Sequence, residues 1–81
     1  MEYTVYILRS QKDEKRYIGM TRDLERRLAE HNTGMVKSTK NRKPMRLVYT
    51  EKFTTKEEAS VREKFFKTGQ GRAWLSQNIG A

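Results

Sequence analysis

The sequence predicts an α+β fold: a small three-stranded antiparallel sheet flanked by two main helices and a short C-terminal helix. Three observations carry this expectation. Residues 3–9, Tyr-Thr-Val-Tyr-Ile-Leu-Arg, and 45–50, Met-Arg-Leu-Val-Tyr-Thr, are rich in β-branched and aromatic types and alternate as strands do. Residues 23–31, Asp-Leu-Glu-Arg-Arg-Leu-Ala-Glu-His, space their leucines at the helical period instead. Thr55-Lys-Glu-Glu58 is a capping box, which opens a second helix.

In the first strand Tyr3, Val5 and Ile7 share one face, and Thr4, Tyr6 and Leu8 share the other. The wholly polar residues 10–15 make a hairpin connection to a second strand, 16–20, which pairs antiparallel and brings Tyr6 near Tyr17. Gly19 lies inside that strand, where glycine marks a bulge or the close approach of a ligand or another backbone. Thr21 or Asp23 caps the first helix, and Asn32-Thr33-Gly34 ends it. A basic loop, 35–44, is closed by the sole proline, Pro44, before the third strand. The second helix starts near Lys56 and runs to Thr68, with Ala59, Arg62, Phe65 and Phe66 on its inner stripe and Glu63 at the edge. Gly69 and Gly71 end it, and residues 72–78 form the last short helix.

A chain of 81 residues is one domain, 1–81, and its core must be small, because 35% of residues are apolar and 35% charged. With no cysteine and a single histidine, disulfide frameworks, thiolate zinc sites and multi-histidine metal sites are excluded. The absence of cysteine suits a reducing cytoplasm. Glu2 and Arg9 interrupt the N-terminal region and no long apolar run follows, so neither a signal peptide nor a membrane span is expected. The net charge is +8, from 18 Lys plus Arg against 10 Asp plus Glu, which points to a polyanionic partner such as nucleic acid. The charge is clustered. No acidic residue lies between Glu30 and Glu51, where Lys37, Lys40, Arg42, Lys43 and Arg46 gather, and none follows Glu63, after which come Lys64, Lys67 and Arg72.

Advancing about 100° per residue from Asp23 puts Leu24, Arg27, Leu28 and His31 on one face of the first helix. A solvated helix would turn Arg27 and His31 to water; here they flank the leucines that face the core. Each polar residue has an ordinary structural reading on its own: packing tyrosines, an Arg27–Glu63 ion pair, a helix-terminal histidine. Together with the basic loop they form a coherent phosphodiesterase. Glu63 would hold one Mg²⁺ or Mn²⁺ with water and substrate oxygens, since such sites use only one or two carboxylates. Arg27 would stabilise charge on the phosphoryl oxygens. Tyr17 would orient or deprotonate the attacking water, helped by Arg27, Arg22 and the metal. His31 is a second candidate base or proton carrier, and Tyr6 would position the water or phosphate.

At these residues the chain resembles the GIY-YIG nuclease superfamily, in particular its small single-domain bacterial branch. That superfamily includes the nuclease domain of bacterial excision-repair endonucleases and some intron homing endonucleases. Tyr17-Ile18-Gly19 keeps the second motif intact, and Thr4-Val5-Tyr6 keeps the tyrosine of the first without its glycine. The helix at 23–31, the run Pro44 to Tyr49 and the helix 58–67 also match, so the likeness covers residues 3 to about 75. The resemblance implies a three-stranded antiparallel sheet flanked by helices and metal-dependent cleavage of a nucleic-acid phosphodiester. It implies Tyr6 and Tyr17 as the paired motif tyrosines, Arg27 as the catalytic arginine, His31 as the helix histidine and Glu63 as the metal ligand. Arg22 falls at a position often basic in such proteins, and Asn78 is a candidate for a late site asparagine.

The leading functional expectation is a divalent-metal-dependent endonuclease acting on DNA with weak sequence specificity, through phosphate contacts from Arg22, Lys37, Lys40, Arg42 and Lys43. Repair, recombination and defence against mobile DNA are all compatible with it. The alternative is a nucleic-acid-binding module that keeps the fold but cuts little on its own. A protein-interaction domain with incidental basicity is a third reading, disfavoured by the clustered charge. A partner protein or a homodimer would be one way to supply substrate choice.

Overall fold

A computed structural model describes residues 2–79. Its elements are β1 (Tyr3–Ser10), β2 (Arg16–Thr21), α1 (Leu24–Asn32), β3 (Met45–Phe53), α2 (Lys56–Phe66) and α3 (Gly69–Asn78). They form the expected α+β architecture, with an antiparallel sheet in the order β2-β1-β3. Consecutive β1 and β2 make a hairpin. Ser10 sets its turn: its Oγ accepts from the amides of Lys12 and Asp13, both at 3.1 Å, and its hydroxyl donates to the Arg42 carbonyl.

β1 is the central strand, and it is covered on both faces. Val5 and Ile7 pack with Ala59 and Phe66 of α2 and Leu75 of α3. Tyr6 and Leu8 pack on the opposite face with Met45, Tyr17, Leu24, Leu28 and Leu47. The alternation in residues 3–8 therefore separates two apolar layers rather than a wet side from a dry one. The register pairs Tyr6 with Gly19 and Leu8 with Tyr17, with no bulge between β1 and β2. The irregularity lies on the other side of β1, where the pairing with β3 shifts between Ile7 and Leu8.

Local signals place most boundaries. Asp23, rather than Thr21, caps α1 by accepting from the Arg26 amide at 3.2 Å, while the Thr21 hydroxyl oxygen accepts from the Asp23 amide at 3.1 Å. α1 ends at Asn32, and Gly34 follows with φ of 82°. Thr55 caps α2 as the capping box requires, accepting from the Glu58 amide at 3.2 Å.

Two expectations change. β3 extends to Phe53, three residues past Thr50. Gly69 and Gly71 do not follow α2 as terminators; they form the first turn of α3. Thr68 caps that helix by accepting from the Gly71 amide at 3.1 Å, so α2 stops at Phe66 and α3 begins almost at once. Gly71 is required by close approach, since a Cβ there would overlap the Phe65 carbonyl of α2.

Candidate active site

Helix α1 packs on the Tyr6–Leu8 face of the sheet and brings Arg27 and His31 onto Tyr6 and Tyr17. The rings of Tyr6, Tyr17 and His31 form one cluster, with centroids 6.4 Å apart for the tyrosines, 5.8 Å for Tyr6 and His31, and 4.8 Å for Tyr17 and His31. The Tyr6 hydroxyl lies 3.0 Å from His31 Nε2 and accepts a long, 3.4 Å bond from Arg27 Nε. His31 Nδ1 lies 2.7 Å from Thr39 Oγ1. An arrangement that satisfies every group has Tyr6 accepting from Arg27 and donating to Nε2, with Nδ1–H donating to Thr39. Gly19 opens the space for the Tyr6 ring, because a Cβ at residue 19 would overlap its hydroxyl. The close approach expected at Gly19 is thus made by a side chain of the protein's own core.

The cluster has a buried half and an open half. Tyr6 is 1% exposed, and His31 and Thr39 are fully buried. Burial, outweighing the neighbouring Arg27, pushes the Tyr6 hydroxyl above its ordinary value. Burial, with Arg27 adding to it, pushes the His31 imidazole below 6.5, so the ring is neutral near pH 7. With both nitrogens engaged and no exposure, His31 is a positioning residue for Tyr6 in this conformation and does not reach a substrate. Tyr17 differs. It is half-buried, and among the described residues no protein group hydrogen-bonds its hydroxyl, while no buried side-chain polar atom lacks a partner. That hydroxyl therefore faces solvent. Arg27 is more open still, its side chain 37% exposed. The Tyr6 bond and the carboxylate of Glu30, 3.1 Å from Nη1, hold the guanidinium firmly cationic.

Glu63 approaches from α2. Its charge bears on the Tyr6 hydroxyl, and its side chain, 20% exposed, accepts from Lys67 at 3.4 Å. Tyr6, Tyr17, Arg27 and His31 are thus gathered on the sheet face that α1 covers. Glu63 belongs to α2, which packs on the opposite face with Val5 and Ile7, and bears on the cluster through its charge on Tyr6. The Arg27–Glu63 pairing expected as a structural alternative does not form; Arg27 pairs with Glu30 and Glu63 with Lys67. Among the described residues no three His, Asp or Glu side chains assemble into a metal cage. One half-buried carboxylate on a helix fits a largely hydrated Mg²⁺ or Mn²⁺, which takes few protein ligands, and does not fit a caged ion.

The remaining sequence-derived candidates separate. Arg22 is exposed at the β2–α1 turn, its guanidinium 5.6 Å from the centre of the Tyr3 ring. Lys37 and Lys40 are exposed on the loop, and Lys43 extends beside Gly34. Arg42 plays a different part. Its Nε donates to Asp13 at 3.0 Å and its Nη2 to the Arg16 carbonyl at 3.3 Å, tying the loop to the hairpin. It is a tether and not an open phosphate ligand. Asn78 is exposed at the end of α3 and donates to the Trp74 carbonyl of its own helix at 2.8 Å, with no contact to the tyrosine cluster. Thr39 and Glu30 belong to the constellation and are not evident from sequence. The only signal for Thr39 is a hydroxyl residue within an otherwise basic loop, and for Glu30 its i,i+3 spacing from Arg27.

Comparison with known proteins identifies the family. The family model described as the GIY-YIG catalytic domain matches residues 2–75. A UPF0213 protein of Staphylococcus saprophyticus is 44% identical over 68 residues, covering 83% of this chain and 82% of its own. Another from Clostridium perfringens is 48% identical over 64 residues, covering 78% of this chain and 68% of its own. The solution NMR structure of a UPF0213 protein from Bacillus halodurans superposes with a TM-score of 0.61 at 38% identity, covering 99% of this chain and 88% of that one. A family model that matches residues 2–75, with relatives of this identity and coverage, makes this chain a member of the GIY-YIG catalytic-domain family, a family of nucleases.

Proposed function

We propose that the protein is a divalent-metal-dependent endonuclease that hydrolyses phosphodiester bonds of DNA with weak sequence specificity. The observation that carries this reading is the asymmetry of the two tyrosines. The Tyr6 hydroxyl is committed to His31 and Arg27, whereas the Tyr17 hydroxyl faces solvent next to a cationic arginine. Two tyrosines serving only as packing would not need Arg27 and His31 held so tightly on one of them.

Glu63 would hold the metal ion, which when bound supplies positive charge to the scissile phosphate and lowers the cost of forming hydroxide from water. The chain's own residues do the rest. Tyr17 orients the attacking water and, as phenolate, takes up its proton while the water oxygen bonds to phosphorus and the bond to the leaving oxygen breaks. Arg27 turns its guanidinium onto the phosphoryl oxygens, where charge grows as the bond to the leaving oxygen breaks. Tyr6, locked by His31 and Thr39, fixes the direction of Arg27. Arg22 and the loop lysines Lys37, Lys40 and Lys43 hold the backbone of the nucleic acid without reading bases. Recognition of shape over sequence suits repair or recombination.

A second reading is a nucleic-acid-binding module with little activity alone. It is favoured by one observation: Lys67 occupies Glu63, and Glu30 occupies Arg27, so both groups must exchange partners before they serve a phosphate. Incubation with single-stranded, duplex, flap and branched DNA and with RNA, in Mg²⁺, Mn²⁺ or EDTA, separates the two. Metal-dependent cutting that is lost in Glu63→Ala and in Tyr17→Phe supports the enzyme. Binding without cutting on every substrate overturns it in favour of the module.

A further inference from the structure

Of the positive charge that follows Glu63 in the chain, Lys67 pairs with Glu63 and the rest is not used by the candidate active site. Part of it lines a concavity of about 620 Å³ between the hairpin end of β1–β2 and α3, walled by Arg9, Glu14, Lys15, Arg16, Arg72 and Ser76. Four of the six are cations and one is a carboxylate. The concavity is built from separate elements held together: Arg16 Nη2 donates to Ser76 Oγ of α3 at 3.2 Å, and Arg42 fixes the Arg16 carbonyl from the loop side. Within the wall Arg9 lies 3.5 Å from Glu14. Lys15 and Arg72 are exposed.

Its position gives the charge meaning. β2 is an edge strand, and along it stand, in order, Arg16, Tyr17, Gly19 under the Tyr6 hydroxyl, Thr21 and then Arg22. A second, smaller concavity of about 380 Å³ lies at the far end of β2 and includes Arg22, Arg26 and Arg27. Two hollows rich in cations therefore lie at the two ends of the edge strand β2, one toward α3 and one toward α1. We propose that the first hollow, through its exposed Lys15 and Arg72, is a distal phosphate-binding subsite for the same nucleic-acid strand, which runs along the β2 edge past Tyr17 to Arg22. This rests on the nuclease reading and extends it to substrate length. Six residues at about 3.3 Å each place the hollows roughly 20 Å apart, which is about six base pairs of duplex at ~3.4 Å per pair. Substrates shorter than that reach only one hollow.

The test is salt-dependent binding of a fluorescent duplex longer than this span and of a hairpin whose stem is shorter, using the full chain and the double variant Lys15→Ala/Arg72→Ala in EDTA. Both residues are exposed, so the fold is expected to persist, and circular dichroism checks it. For the long duplex the variant should bind about tenfold more weakly at low salt, and its slope of log affinity against log salt should fall by nearly two, one for each lost phosphate contact. The short hairpin held at the Arg22 end should be little affected. The charge-reversed pair Lys15→Glu/Arg72→Glu should deepen the loss on the long duplex alone. Unchanged affinity and slope on the long duplex in both variants would overturn the subsite, while leaving the nuclease reading standing if the unaltered protein still cuts. Failure of the unaltered protein to bind either probe overturns the nuclease reading itself, and the subsite with it.

Discussion

The Tyr6 hydroxyl stands in the space that a side chain at Gly19 would need. This one juxtaposition explains why a glycine interrupts an otherwise β-forming strand, and it links the packing of the central strand to the candidate chemistry. Gly19→Ala must displace a ring that is 1% exposed and bonded at its tip, so no flexible end can give way. The expected cost is roughly 1–3 kcal/mol of stability, as for other overpacked cores. Cleavage should fall further than stability accounts for, because the shift breaks the Tyr6 contacts to His31 and Arg27. Urea denaturation together with single-turnover cleavage measures both.

The buried relay predicts a graded series. Thr39→Val leaves His31 Nδ1 without its partner and should cost about 1–2 kcal/mol. His31→Ala removes a filled volume and strands both Tyr6 and Thr39, and should cost about 2–4 kcal/mol. Because His31 acts by holding Tyr6, His31→Ala should lower kcat by less than the ~10²–10⁴-fold expected on removing a group that transfers a proton in the reaction. Denaturation midpoints and kcat decide this.

The same histidine sets a pH dependence. Burial holds its folded-state pKa below 6.5, so the unfolded chain takes up the proton first as pH falls. Stability should be undiminished above about pH 6.5 and decline as pH drops from there through the lower folded value. The Asp13, Glu30 and Glu51 carboxylates, held low by their partners, add losses in the same direction at more acid pH, below their ordinary values near 4. A His31→Phe variant that folds should be flat between neutral pH and the carboxylate range. Denaturation midpoints at several pH values check the sign.

Arg27→Lys keeps a positive charge but loses the planar fork that bonds Tyr6 and Glu30 at the same time. The rate should fall roughly a hundredfold at saturating substrate, the scale for losing one oriented donor from a charge-stabilising site. Binding of DNA in EDTA should change little, since one exposed cation replaces another. Cleavage kinetics and equilibrium binding read these separately.

Arg62 provides the contrasting case. Its guanidinium forms a fork with Glu51 at 2.8 and 3.1 Å and lies 4.9, 4.4 and 4.7 Å from the ring centres of Phe65, Phe66 and Trp74. Its place on the inner stripe of α2 is therefore structural. Arg62→Ala leaves Glu51 with only the Tyr49 hydroxyl as partner and uncovers three rings, and should cost about 2–4 kcal/mol. Cleavage at saturating substrate and at a temperature where the variant is folded should stay near that of the unaltered protein.

What the sequence determined was everything encoded over short range. Strand alternation, the helical spacing of Leu24 and Leu28, the Thr55 cap and the inward placement of Arg27 and His31 depend on neighbours a few residues away and were legible, whereas the choice of Asp23 over Thr21 as the α1 cap was not. Nor was the helix boundary at Thr68. Glycines read as a stop, but Gly71 is there to let α3 close on the Phe65 carbonyl. Tertiary structure alone decided how the polar groups are shared. Tyr6 and His31 are 25 residues apart, His31 and Thr39 are 8 apart, and Arg42 and Asp13 are 29 apart. No periodicity reports which arginine becomes a tether or which tyrosine keeps its hydroxyl open. Those outcomes follow from which side chains meet when α1 and the basic loop close over the hairpin, where each buried donor must find an acceptor.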